Sequence, residues 1–305
     1  MAANFEGNEG NEGNEGNAGN AGNSSGNSGG WFFADRVDLP FVTELDGDDN
    51  PIKDQRIFIG QFPPRNWSAD WYAWLVINEF AVNANWRNIQ ILPQWAGDPP
   101  NWNSAGAQAV IQGELDDLVT AAQDERADAL SEILGEADEF ISYFMNLMTT
   151  RPNAYSATLR VLNIASLVAL FVSMYYKGKY KRPRPSELCP ALLPPIVVPG
   201  HASFPSGHAT QARLMARCMG DVLSGLAQRD TIVDDLKTLA RRIRRNREIA
   251  GLHHESDSIA GKALAQGILP LLRALPADGW YQNALGAAKA EWGQNNAANQ
   301  YPAGV

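Results

Sequence analysis

Apolar residues recur along much of the chain at intervals of three and four, the pattern of an amphipathic α-helix. No segment shows the alternation with a period of two that is typical of a half-buried β-strand. Two helical stripes are prominent, one over 111–119 and one over 130–144. Helices are also predicted at about 68–84, 154–176, 207–226, 229–250, 256–274 and 279–296. The sequence therefore predicts an all-α protein, a multi-helix bundle.

The longest connection between the predicted helices covers 178–206 and is rich in proline. Connections of this length in compact domains are commonly functional. We therefore expect a long proline-rich active-site loop here.

The N-terminal residues differ from the rest in composition. Residues 6–30 repeat Gly-Asn-Glu, then Gly-Asn-Ala and serine variants, and offer almost no apolar surface to offset the entropy of ordering. Residues 1–30 are predicted to be a disordered arm, and residues 31–305 a single all-helical domain.

The sequence shows neither an export signal nor an evident membrane span. Met1 is followed by Ala, Ala and Asn instead of a basic start. The most apolar stretch, Val161 to Tyr176, is about four residues shorter than the roughly 20 needed to span a bilayer, and Asn163 and Ser166 interrupt it. We therefore expect no membrane span, and a cytoplasmic or non-classically exported protein.

The formal charge of −9 narrows the range of partners. It disfavours nucleic acid, because proteins that bind nucleic acid generally need a basic face. Cys189 and Cys218 match no metal-binding or redox spacing, so both are expected to be free thiols. A small-molecule substrate is expected, and the oligomeric state stays open.

The first candidate block runs from Lys177 to Arg184 and holds five cations within eight residues, with no acid among them. Gly178 and Pro183 argue against a continuous helix through this block. The cations are either solvated at the surface or turned inward by a loop toward a bound anion.

The second candidate block is Pro205-Ser206-Gly207-His208, which precedes a predicted helix. A serine hydroxyl and the N–H groups at a helix start attract anions, and glycine lets the backbone approach a ligand closely. The alternative is that Ser206 is a simple helix cap.

The third candidate block extends from Asn246 to Asp257. His253 and Asp257 are four residues apart, so on a helix the carboxylate would accept the imidazole N–H, and the other ring nitrogen could attack or bind a ligand. Arg247 and His253 would lie about 120° apart on a continuous helix, so we expect a break near Gly251. Alone, the block could also be a basic surface helix that ends in two histidines.

Together the blocks concentrate the positive charge of an acidic chain. Segments 177–184 and 241–247 hold ten of the 25 lysines and arginines, and all four histidines lie in or beside the blocks. This concentration favours one oxyanion site over three unrelated features.

The order of the motifs, Lys-x6-Arg-Pro, then Pro-Ser-Gly-His, then Arg-x5-His-x3-Asp, resembles that of a known superfamily. This superfamily joins the type 2 phosphatidic acid phosphatases (PAP2), the bacterial class A acid phosphatases and the vanadium-dependent haloperoxidases. The resemblance covers the motif core, 177–271, and its one departure is Asn246, where the family commonly has serine.

The resemblance implies which residues bind the oxygens of phosphate or vanadate: they are Lys177, Arg184, Ser206, Gly207 and Arg247. In the phosphatases, the match to His253 attacks phosphorus, the match to Asp257 orients it, and the match to His208 protonates the leaving alcohol. In the haloperoxidases, the match to His253 is the protein ligand of vanadate, and the match to His208 assists proton transfer to bound peroxide.

Two features resemble the haloperoxidase branch. The second block continues as Ala209-Thr210, and His201 lies seven residues before His208, where members that oxidise bromide can also carry histidine. We therefore expect a haloperoxidase-like enzyme that uses vanadate, a halide and hydrogen peroxide. The alternatives are a soluble phosphatase that hydrolyses a phosphoester through a phosphohistidine, and a non-catalytic helical scaffold.

Overall fold

The computed structural model describes residues 60–63, 66–91, 95 and 97–298. These residues form helices and contain no β-strand, so the predicted all-α fold class is confirmed. The predicted arm lies outside the described residues, and the extent of the single domain stays a prediction. The α-helices are α1 (Ala69–Asn83), α2 (Ala105–Asp124), α3 (Arg126–Asp138), α4 (Ile141–Leu147), α5 (Ser156–Tyr180), α6 (Pro185–Leu188), α7 (Gly207–Val222), α8 (Arg229–Ile249), α9 (Glu255–Arg273) and α10 (Trp280–Ala298), and 3-10 helices cover Trp86–Asn88 and Pro190–Leu192.

Helix α5 forms the centre of the bundle. It packs against α1, α7 and α10, and α7 packs in turn against α8 and α9. Nearly every face of α5 is apolar, and Val161, Val168 and Val172 are completely buried. The start of α7 lies beside the start of α9, where the N–H of Ser206 donates to the carbonyl oxygen of Asp257 over 3.0 Å.

Two helices end within segments whose sequence could have continued them. Helix α8 ends at Ile249, and Gly251 adopts φ +78, a left-handed conformation that favours glycine. The break expected near Gly251 is therefore present. The apolar stripe over 130–144 is divided between α3 and α4, because Glu139 leaves the helix in an extended conformation.

The expectation that no segment is long enough to cross a membrane is wrong. The stretch Ser156–Leu188, which contains α5 and α6, has 33 residues and is long and apolar enough to span a bilayer. The helix begins before Val161 and continues through Asn163 and Ser166, which had been taken as interruptions. Of its most apolar window, 67% is buried inside the fold, as in a core helix. The cytoplasmic location that rested on the absence of a span therefore loses its basis.

Candidate active site

The cations of the first block are divided between the interior and the surface. Helix α5 ends at Tyr180, because Lys181 adopts a left-handed conformation with φ +49 and Pro183 follows. Lys177 therefore lies in the last turn of α5, whereas Arg184 lies beyond the break. Each of these two residues is 1% exposed, while Lys181 is exposed.

Both buried cations bind main-chain carbonyl oxygens. Lys177 Nζ donates to the carbonyl oxygens of loop residues 202 and 203, over 2.9 and 3.2 Å. Arg184 Nη1 donates over 3.1 Å to the carbonyl oxygen of Leu252, which directly precedes His253. Both side chains thus point inward, Lys177 from the end of α5 and Arg184 from the loop, so these two cations of the first block are not solvated at the surface.

The second block forms the start of α7. Ser206 is the N-cap, and its Oγ accepts a hydrogen bond from the N–H three residues ahead over 3.4 Å. Gly207, the first helical residue, is buried. The His208 ring stacks on Phe140, with 5.0 Å between the centroids, and its Nε2 lies 3.4 Å from the carbonyl oxygen of Glu136. The block therefore provides both a helix cap and a buried histidine.

His253 lies in the turn between α8 and α9, and Asp257 lies beside it in the first turn of α9. His253 Nδ1 is 3.4 Å from Asp257 Oδ2, and both side chains are fully buried. Helix α9 begins at Glu255, so the contact does not run along a helix as the spacing of four had suggested. The side chain of Asp257 instead turns back toward the start of α9, where its Oδ2 accepts a hydrogen bond from the N–H of His254 over 2.9 Å.

Arg182, Ser203 and the ring of His254 also contact Asp257, and the sequence analysis assigned none of them to the site. Arg182 Nη1 lies 2.7 Å from Asp257 Oδ1, and its Nη2 lies 2.7 Å from Glu114 Oε2. Ser203 Oγ donates to Asp257 Oδ2 and lies 3.4 Å from His253 Nδ1. Burial alone would raise the pKa of Asp257, but Arg182, followed by the hydrogen bond from His253, holds that pKa well below its usual range. The carboxyl group beside His253 is therefore ionised.

Arg247 contacts a carboxyl group that the sequence analysis also missed. Its Nη2 donates to Glu136 Oε2 over 3.0 Å and to the carbonyl oxygen of Ile133 over 2.8 Å. Asn246, the departure from the family pattern, donates to Glu136 Oε1 over 2.7 Å. Burial raises the pKa of Glu136 to about 7, although Arg247 acts to lower it. Glu136 lies outside the motif core, so the resemblance could not identify it.

His201 adjoins Arg184. Its Nδ1 lies 3.1 Å from Arg184 Nη2, and its carbonyl oxygen accepts a hydrogen bond from Arg184 Nε over 2.9 Å. The same Nδ1 also lies 3.1 Å from the carbonyl oxygen of Ala202, so the tautomer of the ring decides whether it accepts from Arg184 or donates to that carbonyl oxygen. His201 therefore helps to position an expected oxyanion-binding side chain.

Contacts join the three blocks to one another. Arg184 of the first block donates to the carbonyl oxygen of Leu252 in the third, and the Ser206 N–H of the second block donates to the carbonyl oxygen of Asp257 in the third. His208 of the second block and Arg247 of the third both contact Glu136. Gly261 on α9 permits this close approach, because a Cβ at that position would lie 2.7 Å from the carbonyl oxygen of Ser206. The predicted site residues of the three blocks are therefore neighbours in one buried cluster.

Comparisons with known proteins find partial similarity among solved structures. No family model matches the sequence, and no curated protein matches it. Among solved structures, the chain is similar to one described as the first transmembrane PAP2 type phosphatidylglycerolphosphate phosphatase from Bacillus subtilis. The identity is 14%, the match covers 66% of this chain and 91% of that chain, and the TM-score is 0.34. The chemistry of the cluster therefore has to be inferred from its own residues.

Proposed function

We propose that this chain is a phosphate-ester hydrolase of the PAP2 superfamily that forms a phosphohistidine at His253. The surroundings of His253 support this proposal most. Three buried cations, Lys177, Arg184 and Arg247, come from separate segments into the same cluster. Several cations gathered in one buried place suit an anionic ligand, because the oxygens of a phosphate group accept charge-assisted hydrogen bonds from each of them.

In the proposed reaction, His253 Nε2 attacks phosphorus while the bond from phosphorus to the ester oxygen breaks. The ionised Asp257 accepts the Nδ1–H of His253 and stabilises the positive charge that develops on the ring. His208 gives its proton to the leaving alcohol. Water, activated by His208 as a base, then attacks the phosphohistidine, which releases phosphate and restores both histidines.

The same cluster offers donors for the phosphate oxygens, namely the side chains of Lys177, Arg184, Ser206 and Arg247 and the N–H of Gly207. Donors held in place before the reaction stabilise the charge of the transition state without having to reorganise. Every group that this hydrolysis needs, apart from the ester and water, is a side chain or main-chain group of the cluster.

Replacement of His253 tests this proposal. His253→Ala should reduce the hydrolysis of p-nitrophenyl phosphate by roughly 10³-fold or more, with an unchanged circular dichroism spectrum. In the unaltered protein, alkaline quenching and mass spectrometry should locate a phosphoryl group on His253. Lys177→Met should also lose activity, whereas Lys181→Met, a matched change at an exposed cation of the same block, should not. A fully active His253→Ala protein would rule the mechanism out.

Vanadate is the second ligand that the cluster suits, because the phosphatase mechanism gives no task to His201, whose ring lies beside Arg184. His253 would be the protein ligand, and the phosphate donors would hold the vanadate oxygens. Bound vanadate supplies the activation of hydrogen peroxide for halide oxidation. Within the described part of the chain, no group of three or more His, Cys, Asp or Glu side chains could hold a metal cation, whereas buried cations suit an oxyanion.

Incubation with orthovanadate separates the two candidates. For a phosphatase, vanadate should inhibit p-nitrophenyl phosphate hydrolysis, and no bromide should be oxidised. For a haloperoxidase, the vanadate-loaded protein should oxidise bromide with hydrogen peroxide, and His201→Ala should reduce this activity while sparing any phosphatase activity. Vanadate binding without either activity would favour the non-catalytic scaffold.

A further inference from the structure

A cavity of about 260 Å³ lies between α7, α8 and α9, and cations dominate its lining. The charged side chains that line it are Arg213, Lys237, Arg241, Arg244 and Lys262, and the remaining lining residues are alanines. No acidic side chain lines the cavity. This composition is unusual in a chain with a formal charge of −9.

Helix α8 presents different charge environments on two of its faces. Lys237, Arg241 and Arg244 follow the helical spacing of four and three, so they share the face that lines the cavity. On another face, Arg242 Nε lies 2.7 Å from Glu132 Oε2, and Arg245 Nη2 lies 2.6 Å from Glu125 Oε1. The arginines that face α2 and α3 are thus paired with carboxylates across the interface.

Fewer carboxylates pair with the cations that line the cavity than with the arginines on the other face of α8. Lys237 pairs with the exposed Asp234 at 2.7 Å, and Arg244 Nε lies 3.8 Å from Glu248 Oε1. Within residues 97–298, Arg213, Arg241 and Lys262 form no salt bridge. The remaining positive charge therefore faces the cavity.

Arg213 lies close to several other guanidinium groups. Its Nε is buried and has no hydrogen-bond partner in the described structure. Burial lowers the pKa of Arg213, and the nearby guanidinium groups of Arg217, Arg241 and Arg244 lower it further. A bound anion would relieve both the repulsion between these groups and the unmet hydrogen-bonding capacity of Arg213.

We propose that this cavity is a second anion site, separate from the His253 cluster, that binds a compact ligand with two or more linked phosphate groups. Guanidinium groups match phosphate oxygens by paired hydrogen bonds, and several converging cations select for multiple negative charges. The volume lies just below the roughly 300–1,000 Å³ of sites for drug-sized molecules, which suits a small polyanion. The phosphates would come from a free oligophosphate or from a lipid headgroup.

Calorimetric titration of the full chain with methylene diphosphonate, a diphosphate that resists hydrolysis, tests the site. Arg213→Gln combined with Arg241→Gln should weaken binding at one site by roughly tenfold or more, because charge-assisted hydrogen bonds are lost. Arg242→Gln removes the same charge from the other face of α8 and should leave this binding unchanged. The double variant should keep the unaltered rate of p-nitrophenyl phosphate hydrolysis, which checks its fold and shows that the two sites are separate.

Vesicle flotation distinguishes the two sources of phosphate. Binding to vesicles that contain diacylglycerol diphosphate, in preference to phosphatidylcholine vesicles, would assign the site to a lipid headgroup if the double variant loses it. Diphosphonate binding without vesicle binding would assign it to a free oligophosphate. Either result supports the site. Diphosphonate and vesicle binding that are both unaffected by the double substitution, or the absence of both in the unaltered chain, would overturn it.

Discussion

Burial and the neighbouring positive charge shift the pKa of the Glu136 carboxyl group in opposite directions. Burial raises its pKa to about 7, and Arg247 and Asn246 offset only part of that effect. A glutamate in an unfolded chain has a pKa of about 4.3. Because the folded pKa is the higher one, the contribution of Glu136 to stability is complete below about pH 4.3 and is lost as the pH rises through about 7.

Glu136→Gln should remove this part of the pH dependence, because an amide does not titrate. Between about pH 5 and 8, the free energy of unfolding of the unaltered protein should fall relative to that of the variant. Urea titrations at several pH values measure both profiles. Loss of the carboxylate acceptor changes the free energy of unfolding by the same amount at every pH. If the two plots of free energy against pH are parallel, Glu136 does not ionise in this range.

Asp257 has the opposite behaviour, because Arg182 and His253 keep its pKa low despite burial. Its stabilising contribution is present above the unfolded pKa of about 3.9 and is lost as the pH falls toward its lower folded value. Asp257→Asn should destabilise the protein by about 3–5 kcal/mol, since the buried Arg182 loses a charged partner. Chemical denaturation measures this loss. Asp234→Asn, a matched change at an exposed ion pair, should leave the free energy of unfolding almost unchanged.

At the scale of helices, the apolar spacing predicted positions well, but it could not predict partners. Helix α8 was predicted at 229–250 and runs from Arg229 to Ile249, because each helix buries one regular face. His253 and Arg247 could be identified because local motifs contain them. Glu136 could not, since it contacts Arg247 across 111 positions, and no local spacing predicts a contact of that range.

The contact between α7 and α9 depends on the absence of a side chain at Gly261. A Cβ there would lie 2.7 Å from the carbonyl oxygen of Ser206 and 3.0 Å from the Ala209 Cβ. Gly261→Ala should therefore separate the helices, cost about 1–3 kcal/mol and reduce phosphatase activity through displacement of the start of α7. Gly286→Ala on α10 is the matched control, because a Cβ there meets no atom within 4 Å. Thermal unfolding and hydrolysis rates should change in Gly261→Ala alone.

The positive charge of the molecule is concentrated in a few places, although the net charge is −9. Helix α8 contributes to both of the proposed anion sites: Arg247 near its end belongs to the His253 cluster, and Arg241 lines the cavity. Other arginines of α8, such as Arg245, pair with acids of neighbouring helices. The fold of an acidic chain can therefore gather cations locally, without the broad basic face of a nucleic-acid-binding protein.

Deletion of residues 1–30 tests how much of the chain these properties require. The segment contains four glutamates, no cation and no residue of the three blocks, and the main core cluster of the described residues spans Tyr72 to Ala288. Melting temperature and turnover should therefore stay close to those of the full chain, as measured by scanning fluorimetry and phosphatase assay. Loss of four negative charges should slightly tighten anion binding at low salt, and this difference should disappear at about 1 M salt, where the Debye length is about 3 Å. A large fall in either melting temperature or turnover would instead show that the arm docks on the helical fold.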